Sequence, residues 1–259
     1  MDLGIAGRKA IVCASSEGLG RGCAMALAEN GVEVVVNGRT AETLDATARA
    51  IADATGANVT PVVADVSTRE GQDALFEACP EPDILVNNNG GPPRRDFREL
   101  DRDTMLEGVA QNFVTPVELI QRVVDGMAER GFGRIVNVTS LSVYMPIEGL
   151  DLSSGARAGL TAFLAGVTPQ FARANVTINN LLPGKMDTKR IAGGFELGAQ
   201  TRGTSVEEER RRQAGEIPAD RFGTAEEFGQ TCAFLCSQHA GYITGQNVLI
   251  DGGLHVRAF

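Results

Sequence analysis

The stretch LDLSSGARAGLTAF, residues 150–163, contains a hydroxyl and a guanidinium that could act together in catalysis. Ser153 and Arg157 are four residues apart, so on a helix they share one face. A serine hydroxyl is a poor acid, whereas a guanidinium carries a permanent charge and a fork of donors. What the pair does cannot be decided from this stretch alone and requires the rest of the chain.

A glycine-rich turn is the second feature with chemical meaning. The segment CASSEGLGRG, residues 13–22, follows an apolar run and precedes a helical pattern, and it contains Gly18 and Gly20. Glycines at such a turn let backbone amides approach a pyrophosphate, and the following helix offers its positive end to the phosphate charge. The turn is common, so it indicates a dinucleotide site only together with further matches.

The elements that must position these groups alternate along the chain. Short β-rich apolar runs lie at 9–14, 32–36, 59–64, 83–88, 134–140, 176–182 and 247–251, and helical patterns between them include 20–30, 41–55, 104–130 and 156–174. This alternation predicts right-handed βαβ crossovers and a parallel sheet that is covered on both faces. We expect an α/β fold, a single Rossmann-type doubly wound domain of about seven strands over residues 1–259.

One segment departs from the regular alternation. Residues 185–218 combine glycine-rich and charged stretches, and Glu207 and Glu208 precede Arg211 and Arg212 by four residues, as is typical of a short exposed helix. Ligands of doubly wound sheets bind beyond the carboxyl ends of the strands. Because the segment follows the sixth strand, we expect a lid-like insertion that covers the ligand.

Composition argues against several classes of function. The 259 residues include 24 Lys and Arg against 33 Asp and Glu, a formal charge of −9, which disfavours a nucleic-acid partner. The five cysteines form no CxxC pair and the two histidines lie far from the other polar clusters, so we expect reduced, buried thiols and no metal site. Neither a leader pattern nor a long apolar run is present, which favours a cytoplasmic protein without a membrane partner.

Further motifs follow the glycine-rich turn in a fixed order. They are Asp65-Val66 after the third strand, NNNG at 87–90, Asn112 in the next long helix, Ser140 at the end of the fifth strand, Pro183-Gly184 with Thr188 four residues on, and GQNVLIDGG near the end. In the turn itself, Cys13 and Ala14 replace the first two residues of a TGxxxGxG pattern. With these motifs the chain resembles the short-chain dehydrogenase/reductase family, in particular its 3-oxoacyl-[acyl-carrier-protein] reductases.

The resemblance implies an NAD(P)-dependent oxidoreductase and a set of cofactor-binding residues. The set is Ala14, Ser15, Ser16, Gly18, Leu19, Gly20, Arg39, Asp65, Val66, Asn88, Asn89, Gly90, Arg157, Pro183, Gly184 and Thr188. NADP(H) is favoured, because the second strand ends in NGRT without an acidic residue for the ribose of NAD, and Arg39 can pair with a 2′-phosphate. Glu17, at a turn position where phosphate-preferring members often carry Lys or Arg, favours NAD(H), so both cofactors stay open.

The resemblance also reveals an exchange at the reaction centre. The family uses a Ser, a Tyr thirteen residues later and a Lys four beyond it, with an Asn from the preceding helix; counting from Ser140 reaches Ser153 and Arg157. Loss of a positioned acid costs about 10²–10⁴ in rate. Tyr144, four residues after Ser140, is a candidate proton donor or substrate anchor, or else an aromatic of the pocket wall. With Asn112 these residues form the predicted catalytic set.

Two functions are compatible with this pattern. The first is an NADP(H)-dependent reductase of a small-molecule keto substrate, such as a 3-oxoacyl group, or a dehydrogenase of the hydroxy product, with an atypical proton donor. The second is a nucleotide-binding sensor or scaffold protein that has lost reductase chemistry. The long helix at 104–130 and the small-residue face SGARAGLTAFLAG permit close packing between subunits, so we expect a homotetramer or homodimer.

Overall fold

Seven parallel strands form the centre of the molecule, in a computed structural model that describes residues 1–92 and 94–256. They are β1 (Lys9–Val12), β2 (Glu33–Gly38), β3 (Val59–Val63), β4 (Ile84–Asn87), β5 (Gly133–Val138), β6 (Val176–Pro183) and β7 (Asn247–Ile250). Their order is β3-β2-β1-β4-β5-β6-β7, and each neighbouring pair is parallel. The predicted Rossmann-type α/β fold is confirmed.

Helices cover both faces of this sheet. They are α1 (Gly18–Glu29), α2 (Ala41–Thr55), α3 (Arg69–Ala78), α4 (Arg102–Val109), α5 (Thr115–Glu129), α6 (Asp151–Val167), α7 (Lys189–Arg202), α8 (Val206–Ala214) and α9 (Ala225–Leu235). Side chains alternate along each strand, so Val34 and Val36 enter the core beneath α1, α2 and α9, while Val35 enters the core beneath α3, α5 and α6. Strands with two buried faces therefore read as continuous apolar runs.

The helix predicted at 104–130 is not a regular α-helix. It begins at Arg102, passes through a π-helical segment at Ala110–Val114 and continues as α5 to Glu129, so the predicted helix is present and is interrupted by an irregular turn. Pro116 lies in the first turn of α5 and has no N–H to donate to the carbonyl of Asn112, which loosens the helix at this point. Such π-bulges occur often at functional sites.

The segment at 185–218 forms α7 and α8, and its Phe195 and Ile217 share a small apolar core with Phe222, just beyond the segment. The short helix predicted from the charge pattern is present as α8, and Arg211 pairs with Glu207 at 3.5 Å. The second expected pair does not form, because Glu208 caps the helix together with Ser205, and Arg212 instead pairs with Glu209 and Glu216. The role of the segment as a lid stays a prediction, as does one domain over 1–259, of which residues 93 and 257–259 lie outside the described ones.

The five cysteines are free and buried, as the sequence predicted. Across residues 1–92 and 94–256, no helix is long and apolar enough to cross a membrane. In the same part of the chain, no group of three His, Cys, Asp or Glu side chains is arranged to hold a metal ion.

Glycine contacts between α1 and α9 give a test of the packing. A Cβ at Gly229 would lie 2.1 Å from the carbonyl oxygen of Gly22, whereas a Cβ at Gly166 on α6 would meet nothing within 4 Å. We expect Gly229→Ala to lower the free energy of unfolding by about 1–3 kcal/mol through overpacking. The control Gly166→Ala should raise it by up to about 1 kcal/mol through helix propensity. Urea denaturation measures both, and equal midpoints for the two variants would contradict the predicted contact.

Candidate active site

The order of the strands reverses between β1 and β4, and the glycine-rich turn lies at this point. The side-chain amide of Asn88 donates to the carbonyl of Ala14 across it at 3.0 Å. A Cβ at Gly20 would lie 2.4 Å from that same oxygen, so only glycine fits there. Ala14 itself has a φ of +43°, in the left-handed region that costs a non-glycine residue roughly 1–2 kcal/mol. The position where the family pattern carries glycine is therefore strained in this chain.

Asn37 at the end of β2 holds the turn in shape. Its side-chain oxygen accepts from the backbone N–H of Ala14 at 3.1 Å, and its side-chain nitrogen donates to carbonyls of the neighbouring strand. Ser15 is fully buried, its hydroxyl donates to Val12 at 2.7 Å and its N–H donates to Asn37 at 2.7 Å. Ser15 thus supports the shape of the turn. Sequence reasoning missed Asn37, although a single amide within an apolar strand could have pointed to it.

A cavity of about 270 Å³ lies beside the turn, at the predicted adenosine end of the site. Its lining includes Arg39, Asp65, Ser67, Asn89 and Gly90. Hydrogen bonds from Ser67, aided by the charge of Arg39, lower the pKa of Asp65. A Cβ at Gly90 would meet nothing within 4 Å, so the wall is open there. The cavity offers a cation, a carboxylate and an open glycine wall, which fits an adenosine ribose that carries a 2′-phosphate.

At the other end of the site, α6 brings Ser153 and Arg157 to the carboxyl end of β5. Arg157 is buried, its Nε donates to Ser153 Oγ at 3.2 Å and its Nη1 donates to the carbonyl of Val138 at 2.6 Å. Burial, and to a lesser extent the positive charge of Arg190, lowers the pKa of Arg157 to about 10. Because this value is still well above neutrality, the guanidinium stays charged at pH 7. Ser140 lies two residues beyond Val138, and its Oγ accepts from the N–H of Ser142.

Asn112 meets Arg157 at a small cavity of about 10 Å³, the size of one water molecule. The π-helical segment presents Asn112 there, and its Nδ2 donates to the carbonyl of Gly108 at 3.1 Å. Its Oδ1 is buried and has no hydrogen-bond partner among the described residues. The structure therefore brings together three of the predicted catalytic residues, Asn112, Ser153 and Arg157, around the end of β5.

A row of asparagines crosses the sheet below this site. Asn87, Asn137, Asn180 and Asn247 occupy matching positions on β4 to β7. Each side-chain nitrogen donates to the next residue in the row, at 2.9, 3.2 and 2.8 Å, and Asn247 donates to the hydroxyl of Tyr144 at 2.8 Å. Sequence reasoning missed this row, and the signal was one polar residue at the same register of four apolar strands.

Tyr144 ends the row on the side of β7. Its ring stacks on His255, with centroids 5.6 Å apart and planes 9° from parallel. Sequence reasoning also missed His255, which lies far along the chain and is brought back by the segment after β7. The role of Tyr144 as proton donor or substrate anchor stays a prediction.

The residues after β6 join the segment 185–218 to the glycine-rich turn. A Cβ at Gly184 would lie 2.6 Å from Cβ of Asp251, so packing alone requires glycine there. The methyl carbon of Thr188 lies 3.7 Å from the position of a Cβ on Gly18, and Lys189 forms an ion pair with Glu17. This pair compensates the turn carboxylate that the sequence analysis counted against a 2′-phosphate.

Strand order and the reversal at a glycine-rich turn define this chain as a doubly wound dinucleotide-binding protein. A family model described as Enoyl-(Acyl carrier protein) reductase matches residues 13–255. The chain belongs to the short-chain dehydrogenase/reductase family, and the predicted class of NAD(P)-dependent oxidoreductase is confirmed.

Relatives match over nearly their full length. The NADPH-dependent reductase BacG of Bacillus subtilis is 30% identical over 251 residues, 95% of this chain and 97% of the relative. The 3-oxoacyl-[acyl-carrier-protein] reductase FabG of Aquifex aeolicus is 29% identical over 258 residues, 98% of this chain and 100% of the relative. The solved structure of L-sorbose reductase from Gluconobacter frateurii, complexed with NADPH and L-sorbose, has a TM-score of 0.93 and 28% identity, and covers 99% of this chain and 100% of its own.

Arg39 gives a test of the larger cavity. If its guanidinium binds a 2′-phosphate, Arg39→Ala should raise the Kd for NADPH about 10–100-fold, the loss of one charge-assisted contact, and change the Kd for NADH less than about twofold. Arg49→Ala on the exposed side of α2 removes the same charge and serves as the control. Fluorescence titration measures both cofactors. Equal weakening of NADPH and NADH by Arg39→Ala would contradict the assignment.

Proposed function

We propose that this protein is an NADP(H)-dependent reductase of a carbonyl group on a small molecule, with a 3-oxoacyl or similar keto substrate, and an atypical arrangement of its proton donor. The observation that carries the proposal is the buried guanidinium of Arg157, bound to Ser153 and to the end of β5. A permanent positive charge at this place suits a reaction that builds negative charge on an oxygen.

NADP(H) as the cofactor is supported by charge on both sides of the cleft. Arg39 lines the larger cavity, and the carboxylate of Glu17 is compensated by Lys189. Among the relatives, one is named an NADPH-dependent reductase and another was solved with NADPH. The bound cofactor would supply the hydride.

The residues of this chain would then bind and hold the product oxygen. Ser140 offers a hydroxyl, and the charged Arg157 stabilises the oxyanion without giving up a proton at neutral pH. Tyr144 is the proposed proton donor or substrate anchor, with its phenol positioned by Asn247 and its ring by His255. A phenol gives up a proton far more readily than the hydroxyl of Ser153, so it is the better proton donor of the two.

A second candidate function is a nucleotide-binding sensor or scaffold protein without reductase activity. The observation that favours it is the presence of Ser153 and Arg157 where the family uses a phenol and an amine. The glycine-rich turn would serve either function, so affinity for the cofactor does not distinguish them. A measurement of substrate turnover distinguishes them.

Assembly into a homodimer or homotetramer is part of the proposal. Apolar side chains are exposed along α4, the π-helical segment and α6: Met105, Leu106, Val109, Val114 and Phe163. Phe163 also packs edge-on against Phe113, at 5.6 Å between ring centroids. Exposed apolar side chains on neighbouring helices are typical of a subunit interface, and in the proposed assembly they would pack against a second copy.

Steady-state oxidation of NADPH over a panel of ketones and 3-oxoacyl thioesters tests the proposed function. We expect turnover above the rate without enzyme for at least one substrate. Tyr144→Phe should lower kcat about 10²–10⁴-fold if the phenol is the acid, whereas Tyr242→Phe, at a fully exposed tyrosine, should leave it unchanged.

The sensor or scaffold alternative predicts the opposite pattern. The parent protein would show only the background rate, and the double variant Ser153→Tyr with Arg157→Lys would gain activity. That result would overturn the proposed reductase.

A further inference from the structure

The π-helical segment at 110–114 leaves one backbone carbonyl without a donor from its own helix. In a regular α-helix the carbonyl of Gln111 would accept from the N–H of Thr115, but that N–H donates to the carbonyl of Ala110 instead. In a π-helix the donor would be the residue after Thr115, which is Pro116 and has no N–H. The carbonyl of Gln111 therefore needs a donor from outside the helix.

Asn89, on the loop after β4, supplies that donor. Its side-chain Nδ2 donates to the carbonyl of Gln111 at 3.3 Å. Its Oδ1 accepts from the N–H of Gly90 at 2.8 Å, so both ends of the amide are bound and its direction is fixed. Because a backbone acceptor without a partner is costly, the bond from Asn89 stabilises the segment in its π-helical form.

The form of this segment matters because Asn112 is its next residue. Asn112 is only 3% exposed, its Nδ2 donates to the carbonyl of Gly108 at 3.1 Å, and it lines the water-sized cavity together with Arg157. Gln111 and Asn112 share one peptide bond, which is planar and rigid. A bond that fixes the carbonyl of Gln111 therefore also fixes the backbone from which the side chain of Asn112 projects.

Asn89 and Gln111 lie between the two cavities of the site. Among the described residues, these two line both the larger cavity beside Arg39 and the smaller cavity beside Arg157. Gly90, which binds the other end of the Asn89 amide, lines only the larger cavity. The hydrogen bond from Asn89 to Gln111 thus joins the loop that bounds the predicted adenosine end to the helix that bounds the reaction centre.

We propose that Asn89 is a positioning residue of the reductase: its Nδ2 replaces the backbone donor that the π-helical segment lacks, and it thereby holds Asn112 beside Arg157. The family resemblance implies a cofactor contact for Asn89, whereas in this inference its side-chain amide serves the helix. The effect on turnover rests on the proposed reductase function. The hold on the segment does not, because it follows from the hydrogen bonds of the protein alone.

Hydrogen exchange of the purified full-length protein, followed by mass spectrometry, tests the hold on the segment. Asn89→Asp keeps an oxygen for Gly90 and removes only the Nδ2 donor, whereas Asn89→Ala removes both contacts. We expect the backbone amides of residues 110–117 to exchange about 2–10-fold faster in both variants, as for the loss of one hydrogen bond. The control Asn30→Asp removes the same kind of bond, from Nδ2 to the carbonyl of Ala26 on α1 at 2.8 Å, and should leave residues 110–117 unchanged.

Steady-state kinetics test the effect on the reaction, with a substrate that the parent protein reduces. We expect Asn89→Ala to lower kcat about tenfold, because a displaced Asn112 no longer completes the reaction centre. The KM for NADPH should stay within about twofold of the parent value, because the glycine-rich turn and Arg39 are unchanged. A loss of general stability would not produce this separation of kcat from KM.

Three results would overturn the inference. They are unchanged exchange of residues 110–117 in Asn89→Asp, exchange that rises equally over the whole chain, and a raised KM for NADPH with an unchanged kcat in Asn89→Ala, which would assign the side chain to the cofactor. In each of them the parent protein still turns over, and the proposed function stands. A parent protein without turnover would instead overturn the proposed function, while the exchange rates still decide whether Asn89 holds the segment.

Discussion

Burial of polar groups at the carboxyl edge of an apolar sheet is the constraint on which the rest of the structure depends. The molecule meets it with amides that bind one another: Asn87, Asn137, Asn180 and Asn247 form a row across four strands, and Asn37 does the same for the glycine-rich turn. A buried amide without partners costs about 1–3 kcal/mol, and the row gives the amide nitrogen of every member a partner, while Oδ1 of Asn87 is buried without one among the described residues. The loops after β4 and β5, which carry part of the candidate site, begin beside Asn87 and Asn137.

The charge at the reaction centre differs in kind from that of a lysine. Burial lowers the pKa of Arg157 to about 10, so its guanidinium keeps its charge at neutral pH, and it offers a planar fork of donors where a lysine offers a single ammonium. In the proposed reductase, Arg157 would stabilise an oxyanion and the proton would come from another residue. Tyr144, at the far end of the asparagine row, is the proposed donor on the loop after β5. The proposal thus places charge and proton on two different residues.

Much of the architecture could be predicted from the sequence, because the spacing of apolar residues and the positions of glycines are local signals. The doubly wound parallel sheet and the glycine-rich turn followed from them, as did the meeting of Ser153 and Arg157 on one face of α6, whereas the order of the strands is known only from the structure. The π-helical segment at 110–114 could not be predicted from the sequence, because a proline within an amphipathic pattern does not indicate how the hydrogen bonds of the helix rearrange around it. Contacts between distant segments, such as Tyr144 with His255, depend on tertiary packing, which local pattern does not encode.

The account depends on a dinucleotide that binds across the point where the strand order reverses. Calorimetry of the purified protein with NADPH and with NADH measures this directly. We expect one binding site per chain, with NADPH bound more tightly than NADH because Arg39 faces the cavity and Glu17 is paired. Absence of binding by either nucleotide at millimolar concentration would contradict the account.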